Sequence, residues 1–298
     1  MKRYLEIGLL LYPGVQLAAV HGLGDLFTVA NRMAAGQGRD GLPTLRVSHW
    51  QVVESGALER VYDSAPGEQS SLRVIIVAPC LQPVPGRLLG EPYCGWLREQ
   101  HAAGVILTSV CAGAFPLAEA GLLDGRSVTT HWALGSELAQ QYPQVRVLPE
   151  RMLVEDGDLI TAGGLMAWTD LGLALVNRSL GATIAAETAR FLVVDLNRTS
   201  QLHFSHFVPV FDHGDAPILA VQHWLQGQAT VEASLAEMAE RACLGERTLL
   251  RRFRAATGMN PTQYCQQLRV ARARDLLEFT RQSICLLYTS DAADAPYV

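Results

Sequence analysis

Three side chains in the first half of the chain could do chemistry together: a cysteine, a histidine and a carboxylate. Cys111 follows an apolar run and precedes the small residues Ala112 and Gly113, a pattern typical of the sharp strand-to-helix turn that presents a nucleophile. A thiol at the start of a helix is expected to have a lowered pKa. His131 lies at the mouth of a later predicted helix, and Asp25 lies at the predicted start of the first one. A thiol, a base and a group that orients the base are what covalent catalysis requires.

The same residues also allow less reactive roles. Buried cysteine is often a small core residue, a lone histidine often caps a helix, and an isolated aspartate is an ordinary helix-start residue. A redox-sensing thiol would need a low pKa and an exposed sulfur. We favour a ligand pocket formed by Asp25, Cys111, Ala112 and His131. Catalysis by Cys111, His131 and Asp25 is the alternative.

Strand and helix patterns alternate over residues 1–195 and would position these side chains. Buried strands are predicted at 5–11, 73–78 and 104–109, and an alternating hairpin at 44–53 and 56–62. Helices are predicted at 21–35, 96–103, 112–120, 132–142, 166–180 and 182–194. Repeated βα units predict an α/β fold, a mainly parallel sheet sandwiched by helices. Ligands bind such sheets at the carboxyl ends of the strands.

Several of these motifs together resemble the ThiJ/PfpI superfamily. They are the run Leu9–Gly14, Asp25, the turn at Cys111 and the pair His131-Trp132. The resemblance extends over residues 1–195 and implies the flavodoxin-like fold of class I glutamine amidotransferases. It also implies a pocket formed by Cys111, Asp25 and His131. The superfamily more often has glutamate at the acid position, and aspartate is one methylene shorter.

The last third of the chain is predicted to be helical. Residues 196–215 lack periodicity and are predicted to be a linker, followed by a short helix from 216 to about 226. Ser234 and Glu237 form a capping-box pattern. A tight turn at 243–245 then precedes a helix at 246–257, and a long helix follows Pro261. Two short helices joined by a glycine-containing turn predict a helix-turn-helix.

The charge of this region favours nucleic acid, although the whole chain has a net charge of −5. Nine arginines between 241 and 281 face three acidic residues, which gives this segment a charge of about +6. Arg247 and Arg251, four residues apart, suit guanine edges in the major groove. Thr248 and Leu250 are predicted to contact phosphate or a thymine methyl group, and Arg252 and Arg254 to face backbone phosphates or solvent. An ordinary arginine-rich surface helix is the alternative.

The spacing of this segment closely resembles the DNA-binding domain of the AraC/XylS family. The motif reads Gly245-x-Arg247-x-Leu249-x-Arg251-x-Phe253, then Gly258-x-x-Pro261-x-x-Tyr264. The resemblance implies an intracellular transcription regulator that binds double-stranded DNA over 216–284. Its amidotransferase-like domain would sense a small-molecule effector. Family members contain a second helix-turn-helix, whereas 285–298 does not resemble one. We therefore expect a truncated domain with a disordered tail.

Other functions are disfavoured by composition. The six cysteines show no CxxC spacing and the pair His203 and His206 has no further ligand nearby, so neither a metal nor another cofactor is expected. Glu6 interrupts what would be a signal peptide, and no apolar run is long enough to span a membrane. We expect a cytoplasmic homodimer, because two half-sites multiply DNA specificity. The rival function is a hydrolase, hydratase or glyoxalase-like enzyme that uses Cys111.

Overall fold

The computed structural model describes most of the chain and divides it into two compact units. The described residues are 3–37, 41–82, 89–196, 198–202, 204–205, 207, 209–227 and 233–280. Unit 1 ends at Ser205 and unit 2 begins at His206. The predicted tail at 285–298 and the histidines at 203 and 206 lie outside the described residues.

Unit 1 contains a seven-stranded sheet with the order β3-β2-β1-β4-β5-β9-β8. Its strands are β1 (Tyr4–Leu11), β2 (Thr44–Val52), β3 (Leu58–Asp63), β4 (Leu72–Val77), β5 (Ile106–Val110), β8 (Leu153–Asp156) and β9 (Leu159–Ala162), and β6 (Ser127–Val128) pairs separately with β7 (Arg146–Val147). The five central strands are parallel, whereas β3 and β8 are antiparallel edge strands. The predicted α/β class is confirmed. The β8–β9 hairpin is an element that sequence reasoning missed.

Helices cover both faces of this sheet. They are α1 (Leu17–Gly36), α2 (Glu91–Ala102), α3 (Ala114–Glu119), α4 (Gly135–Gln141), α5 (Trp168–Leu180) and α6 (Ala182–Leu192). α1, α5 and α6 pack against one another, and α2 packs against α3. The connections β1–α1–β2 and β4–α2–β5 run in opposite directions across the sheet, so right-handed crossovers place α1 and α2 on opposite faces. The sheet order therefore reverses beside β1, which is where open α/β sheets bind ligands.

The turn after β5 forces the chain very close to β4. A one-turn 3-10 helix, Cys111–Gly113, joins β5 to α3. A Cβ atom at Gly113 would lie 2.2 Å from the carbonyl oxygen of Val77 and 2.9 Å from that of Ala78. These oxygens belong to backbone and cannot rotate away, so only glycine fits.

Unit 2 contains four described helices: α7 (Ala216–Gly227), α8 (Leu235–Arg241), α9 (Glu246–Thr257) and α10 (Pro261–Phe279). The predicted capping box is present, since the Glu237 N–H donates to Ser234 Oγ and the Ser234 N–H donates to the Glu237 carboxylate. Ile218, Met238 and Phe253 are fully or almost fully buried and hold the helices together. This arrangement agrees with the predicted helix-turn-helix.

Described residues of the predicted linker, 196–215, make specific contacts within each unit. Gln201 is buried in unit 1, whereas Asp215 pairs with Arg252 in unit 2. The boundary between units falls inside this segment. Aperiodic polar residues can pack as tightly as a helix when their hydrogen bonds are satisfied, and periodicity does not detect such packing.

Among the described residues, no helix combines the length and the apolar character that crossing a membrane requires.

Replacing Gly113 by alanine is expected to destabilise unit 1 by more than about 2 kcal/mol, because the added methyl group collides with backbone. Gly24 in α1 is the matched control, since a Cβ there meets nothing within 4 Å. Gly24→Ala should be neutral or stabilise by about 0.5–1 kcal/mol. Urea unfolding followed by circular dichroism measures both changes. Equal stability of Gly113→Ala and the parent chain would contradict the close packing at this turn.

Candidate functional site

Cys111 occupies the strand-to-helix turn that the sequence predicts. Its backbone has φ +55°, a left-handed conformation that is uncommon for residues other than glycine and is concentrated at functional sites. The residue is 5% exposed. The following residue, Ala112, is also buried and its backbone N–H bonds to the Cys111 thiol. The turn therefore fixes the position of the sulfur and buries it from solvent.

The pKa of this thiol is raised, whereas its position at a helix start predicts a lowered pKa. Burial raises the pKa of Cys111 to about 11, the Ala112 hydrogen bond lowers it in part, and nearby Cys80 raises it further. The prediction of a lowered pKa is wrong, because α3 is short and loss of hydration outweighs the field of its first turn. Cys111 is a neutral thiol at neutral pH.

His131 lies on a segment that touches the turn. The Thr130 hydroxyl donates to the carbonyl oxygen of Cys111 over 2.7 Å. The half-buried His131 ring accepts the Ala133 N–H at Nδ1, and burial lowers the pKa of the ring. It is thus a neutral, helix-capping imidazole. In the described part of the chain, no hydrogen bond joins it to the thiol of Cys111.

Asp25 lies on α1, and in the described part of the chain no hydrogen bond joins it to Cys111 or His131. α1 begins at Leu17, earlier than predicted, so Asp25 lies in the middle of the helix and is exposed. The periodic pattern predicts a start near residue 21, and the earlier start moves Asp25 away from the first turn. The Thr130 hydrogen bond brings the segment of His131 to the Cys111–Ala112 turn, whereas Asp25 is exposed in the middle of α1.

Two residues near the turn were missed by sequence reasoning. The Tyr12 hydroxyl donates to the carbonyl oxygen of Ala78, and burial followed by the nearby thiols of Cys80 and Cys111 raises the pKa of this phenol. Gln201 is 1% exposed, and its amide donates to the Thr130 carbonyl oxygen over 2.8 Å. An aromatic residue directly after the first strand was a detectable signal, but nothing in the sequence pattern marked Gln201.

A second candidate surface lies on α9 in unit 2. Leu249 and Phe253 are fully buried and fix the rotation of the helix, which leaves the other face free. That exposed face, which we call the arginine face, carries Arg247, Leu250, Arg251 and Arg254. These positions are spaced three and four residues apart, so they form one stripe. The structure places four of the six predicted DNA contacts on this stripe.

The other two predicted contacts lie elsewhere. Thr248 is half-buried. Arg252 makes a two-pronged ion pair with Asp215, with Nε–Oδ2 at 2.9 Å and Nη2–Oδ1 at 2.7 Å. Hydrogen bonding from Arg252 lowers the pKa of Asp215. The contact of Arg252 with phosphate therefore stays a prediction, and in this structure its guanidinium group is paired with Asp215.

A buried glutamine attaches this preceding segment to the helices. Gln222 of α7 is fully buried, and its amide donates to the Val210 carbonyl oxygen and to the Tyr264 hydroxyl over 3.0 and 3.1 Å. His213 Nε2 lies 2.7 Å from Gln222 Oε1, while His213 Nδ1 accepts the Asp215 N–H. Both contacts are satisfied by the neutral tautomer with the proton on Nε2. Residues 210–215 are therefore part of the helical unit.

Both units match known protein domains. The DJ-1/PfpI family matches residues 75–178, which include the turn at Cys111, and a helix-turn-helix domain matches residues 238–288, which include α9. The chain combines a DJ-1/PfpI domain with an AraC-type helix-turn-helix domain. The two resemblances inferred from the motifs are confirmed.

The relatives include both regulators and an enzyme. The chain is 29% identical over 294 residues to the HTH-type transcriptional regulator CdhR of Pseudomonas aeruginosa, covering 96% of this chain and 84% of that protein. It is 29% identical over 247 residues to the isonitrile hydratase of Pseudomonas putida, covering 80% of this chain and 96% of the enzyme. A crystal structure of a Vibrio parahaemolyticus protein is similar in fold, with a TM-score of 0.50 and 19% identity over 64% of this chain and all of that one.

The rate of alkylation should distinguish the buried thiol of Cys111 from an accessible one. With a pKa of about 11, roughly one Cys111 in a thousand or fewer is a thiolate at pH 7.5, and burial slows it further. Exposed Cys243 is the internal control. Iodoacetamide labelling followed by peptide mass spectrometry should label Cys243 much faster, and labelling of Cys111 should rise with pH up to about 11. Equal labelling of both at pH 7.5 would contradict the buried, neutral thiol.

The Asp215–Arg252 pair is expected to hold α9 in place. Asp215→Asn and Arg252→Ala should each speed amide exchange of the 246–257 peptide, and the double variant should add little, because both changes break one interaction. Arg254→Ala is the matched control, since no ion pair of Arg254 is seen in the described residues. Hydrogen-exchange mass spectrometry compares the parent chain with all four variants. Fully additive effects, or an equal effect of Arg254→Ala, would argue against this role.

Proposed function

We propose that this protein is a transcription regulator that reads double-stranded DNA with the arginine face of α9. The observation that carries the proposal is the rotation of this helix. Leu249 and Phe253 are buried while Arg247, Leu250 and Arg251 are exposed together. Guanidinium groups four residues apart can reach guanine O6 and N7 in the major groove. The match of this region to a helix-turn-helix domain and the similarity to CdhR support the same conclusion.

Unit 1 has the role of a sensor in this proposal. Its sheet provides a ligand-binding edge, and a small molecule bound there changes how the chain engages DNA. Ligand and DNA must then alter each other's affinity by the same factor. A homodimer would place two arginine faces on two half-sites. The similarity to regulators along nearly the whole chain supports this division of labour.

Catalysis at Cys111 is the second candidate, and the similarity to an isonitrile hydratase favours it. The geometry of the described residues favours the sensor. The thiol is buried with a raised pKa, His131 caps a helix turn, and Asp25 is exposed in the middle of α1. A nucleophilic cysteine needs a base within hydrogen-bond reach, which this arrangement does not supply. We propose that the chain is not an enzyme.

Removing the arginine face should remove base contacts. Arg247→Ala and Arg251→Ala should each weaken specific DNA binding by about 1–3 kcal/mol and expose particular guanines to methylation at N7. Arg190→Ala, an exposed arginine of α6 in unit 1, is the matched control and should leave the protection pattern unchanged. Dimethyl sulfate footprinting on DNA from upstream of the gene measures this. Unchanged protection in both α9 variants would contradict the assignment of the arginine face.

A further inference from the structure

A cavity of about 490 Å³ opens at the carboxyl ends of β1 and β2. Tyr12 and Pro13, which follow β1, form one wall, and Gln51 and Val52 at the end of β2 form another. Leu17 of α1 and Tyr93 of α2 complete it. The cavity thus takes residues from both helical layers, at the edge where the sheet order reverses. Its volume lies in the range that small-molecule sites occupy.

The cavity is distinct from the pocket that the sequence predicts. Cys111, His131 and Asp25 are not among its lining residues. Tyr12 connects the two places, since it lines the cavity and its phenol is close enough to the Cys111 thiol for the two to interact electrostatically. A molecule in the cavity would therefore contact Tyr12, whose phenol lies near the strand-to-helix turn.

The lining is mainly apolar. Leu11, Val15, Val52 and Leu89 are half-buried around it, and Leu17 is 59% exposed on its rim. Large apolar side chains that converge on a concave surface leave hydration water that an apolar ligand can displace. The free energy of binding would come from covering these side chains.

A few polar groups in the lining could orient a bound ligand by hydrogen bonding. Tyr93 is 8% exposed, and burial raises the pKa of its phenol while a hydrogen bond from the Val52 backbone lowers it in part. Gln51 adds an exposed amide, whereas the Tyr12 hydroxyl is already engaged by Ala78. None of the described lining residues carries a charge. Such a lining favours an uncharged molecule with one hydrogen-bonding group.

From this lining we infer that the cavity bounded by Leu17, Val52 and Tyr93 is the effector site, and that the effector is a small, neutral, mainly apolar molecule with one hydroxyl or similar polar group. Calling this ligand an effector rests on the proposed function, because an effector is a molecule that changes DNA binding. The binding site itself does not depend on that function. If the chain binds such a molecule but no DNA, the site stands and the proposed regulatory function fails.

The test uses the full chain and two neutral probes, p-cresol and toluene, with benzoate and benzylamine as charged comparators. Affinities are measured by ligand-observed NMR without DNA. Leu17→Trp, which fills the cavity from its rim, should weaken both neutral probes by at least about tenfold. Val61→Trp on β3 is the matched control, since Val61 is also exposed and does not line the cavity, and it should change nothing.

Two further variants locate the probe. Tyr93→Phe should weaken p-cresol while leaving toluene unchanged, because only p-cresol can bond the lost hydroxyl. Cys111→Ala should leave both affinities unchanged. The inference is overturned if neither neutral probe binds, if Leu17→Trp and Val61→Trp bind alike, if the charged comparators bind more tightly, or if Cys111→Ala abolishes binding, which would place the ligand at the turn. DNA affinity, measured separately on the same variants, tests the regulator.

Discussion

Contact between Gly113 and the carbonyl oxygens of Val77 and Ala78 is the constraint on which unit 1 depends. It forces the chain to turn sharply after β5, with Cys111 in a left-handed conformation. The sharpness of the turn buries the thiol instead of presenting it, so loss of hydration governs the electrostatics of Cys111. The same geometry that suits a nucleophile in other settings here surrounds a buried thiol with a raised pKa. The fold alone does not decide the chemistry.

In unit 2 the decisive constraint is the burial of Leu249 and Phe253. Because these side chains face the core, the rotation of α9 is set, and Arg247 and Arg251 must face outward. Arg252 points a different way and is held by Asp215. The segment that precedes α7 therefore binds, through Asp215, the same helix that carries the arginine face. A change in that segment would act directly on α9.

Much of this arrangement could be predicted from the sequence. Apolar runs located β1, β4 and β5, and the spacing of Arg247, Leu249, Arg251 and Phe253 identified the surface and buried sides of α9. The β8–β9 hairpin was missed, although the Asp156-Gly157 pair between two short apolar runs is a turn signal.

Contacts over long sequence distances could not be predicted. The ion pair of Arg252 joins residues 37 positions apart, and Gln201 reaches Thr130 across 71. Periodicity places the start of α1 near residue 21 and Asp25 in its first turn, whereas the helix begins at Leu17. Cys111 was located correctly, but its pKa was not, since burial depends on packing from distant parts of the chain.

Sequence-specific reading of DNA by α9 is tested by comparing the affinity of the purified full chain for DNA from upstream of its gene with its affinity for scrambled DNA. Fluorescence anisotropy at several salt concentrations gives both dissociation constants. We expect a preference of at least about a thousandfold for the upstream DNA, with affinity falling as salt rises. Weak binding that is equal on both DNAs would contradict it.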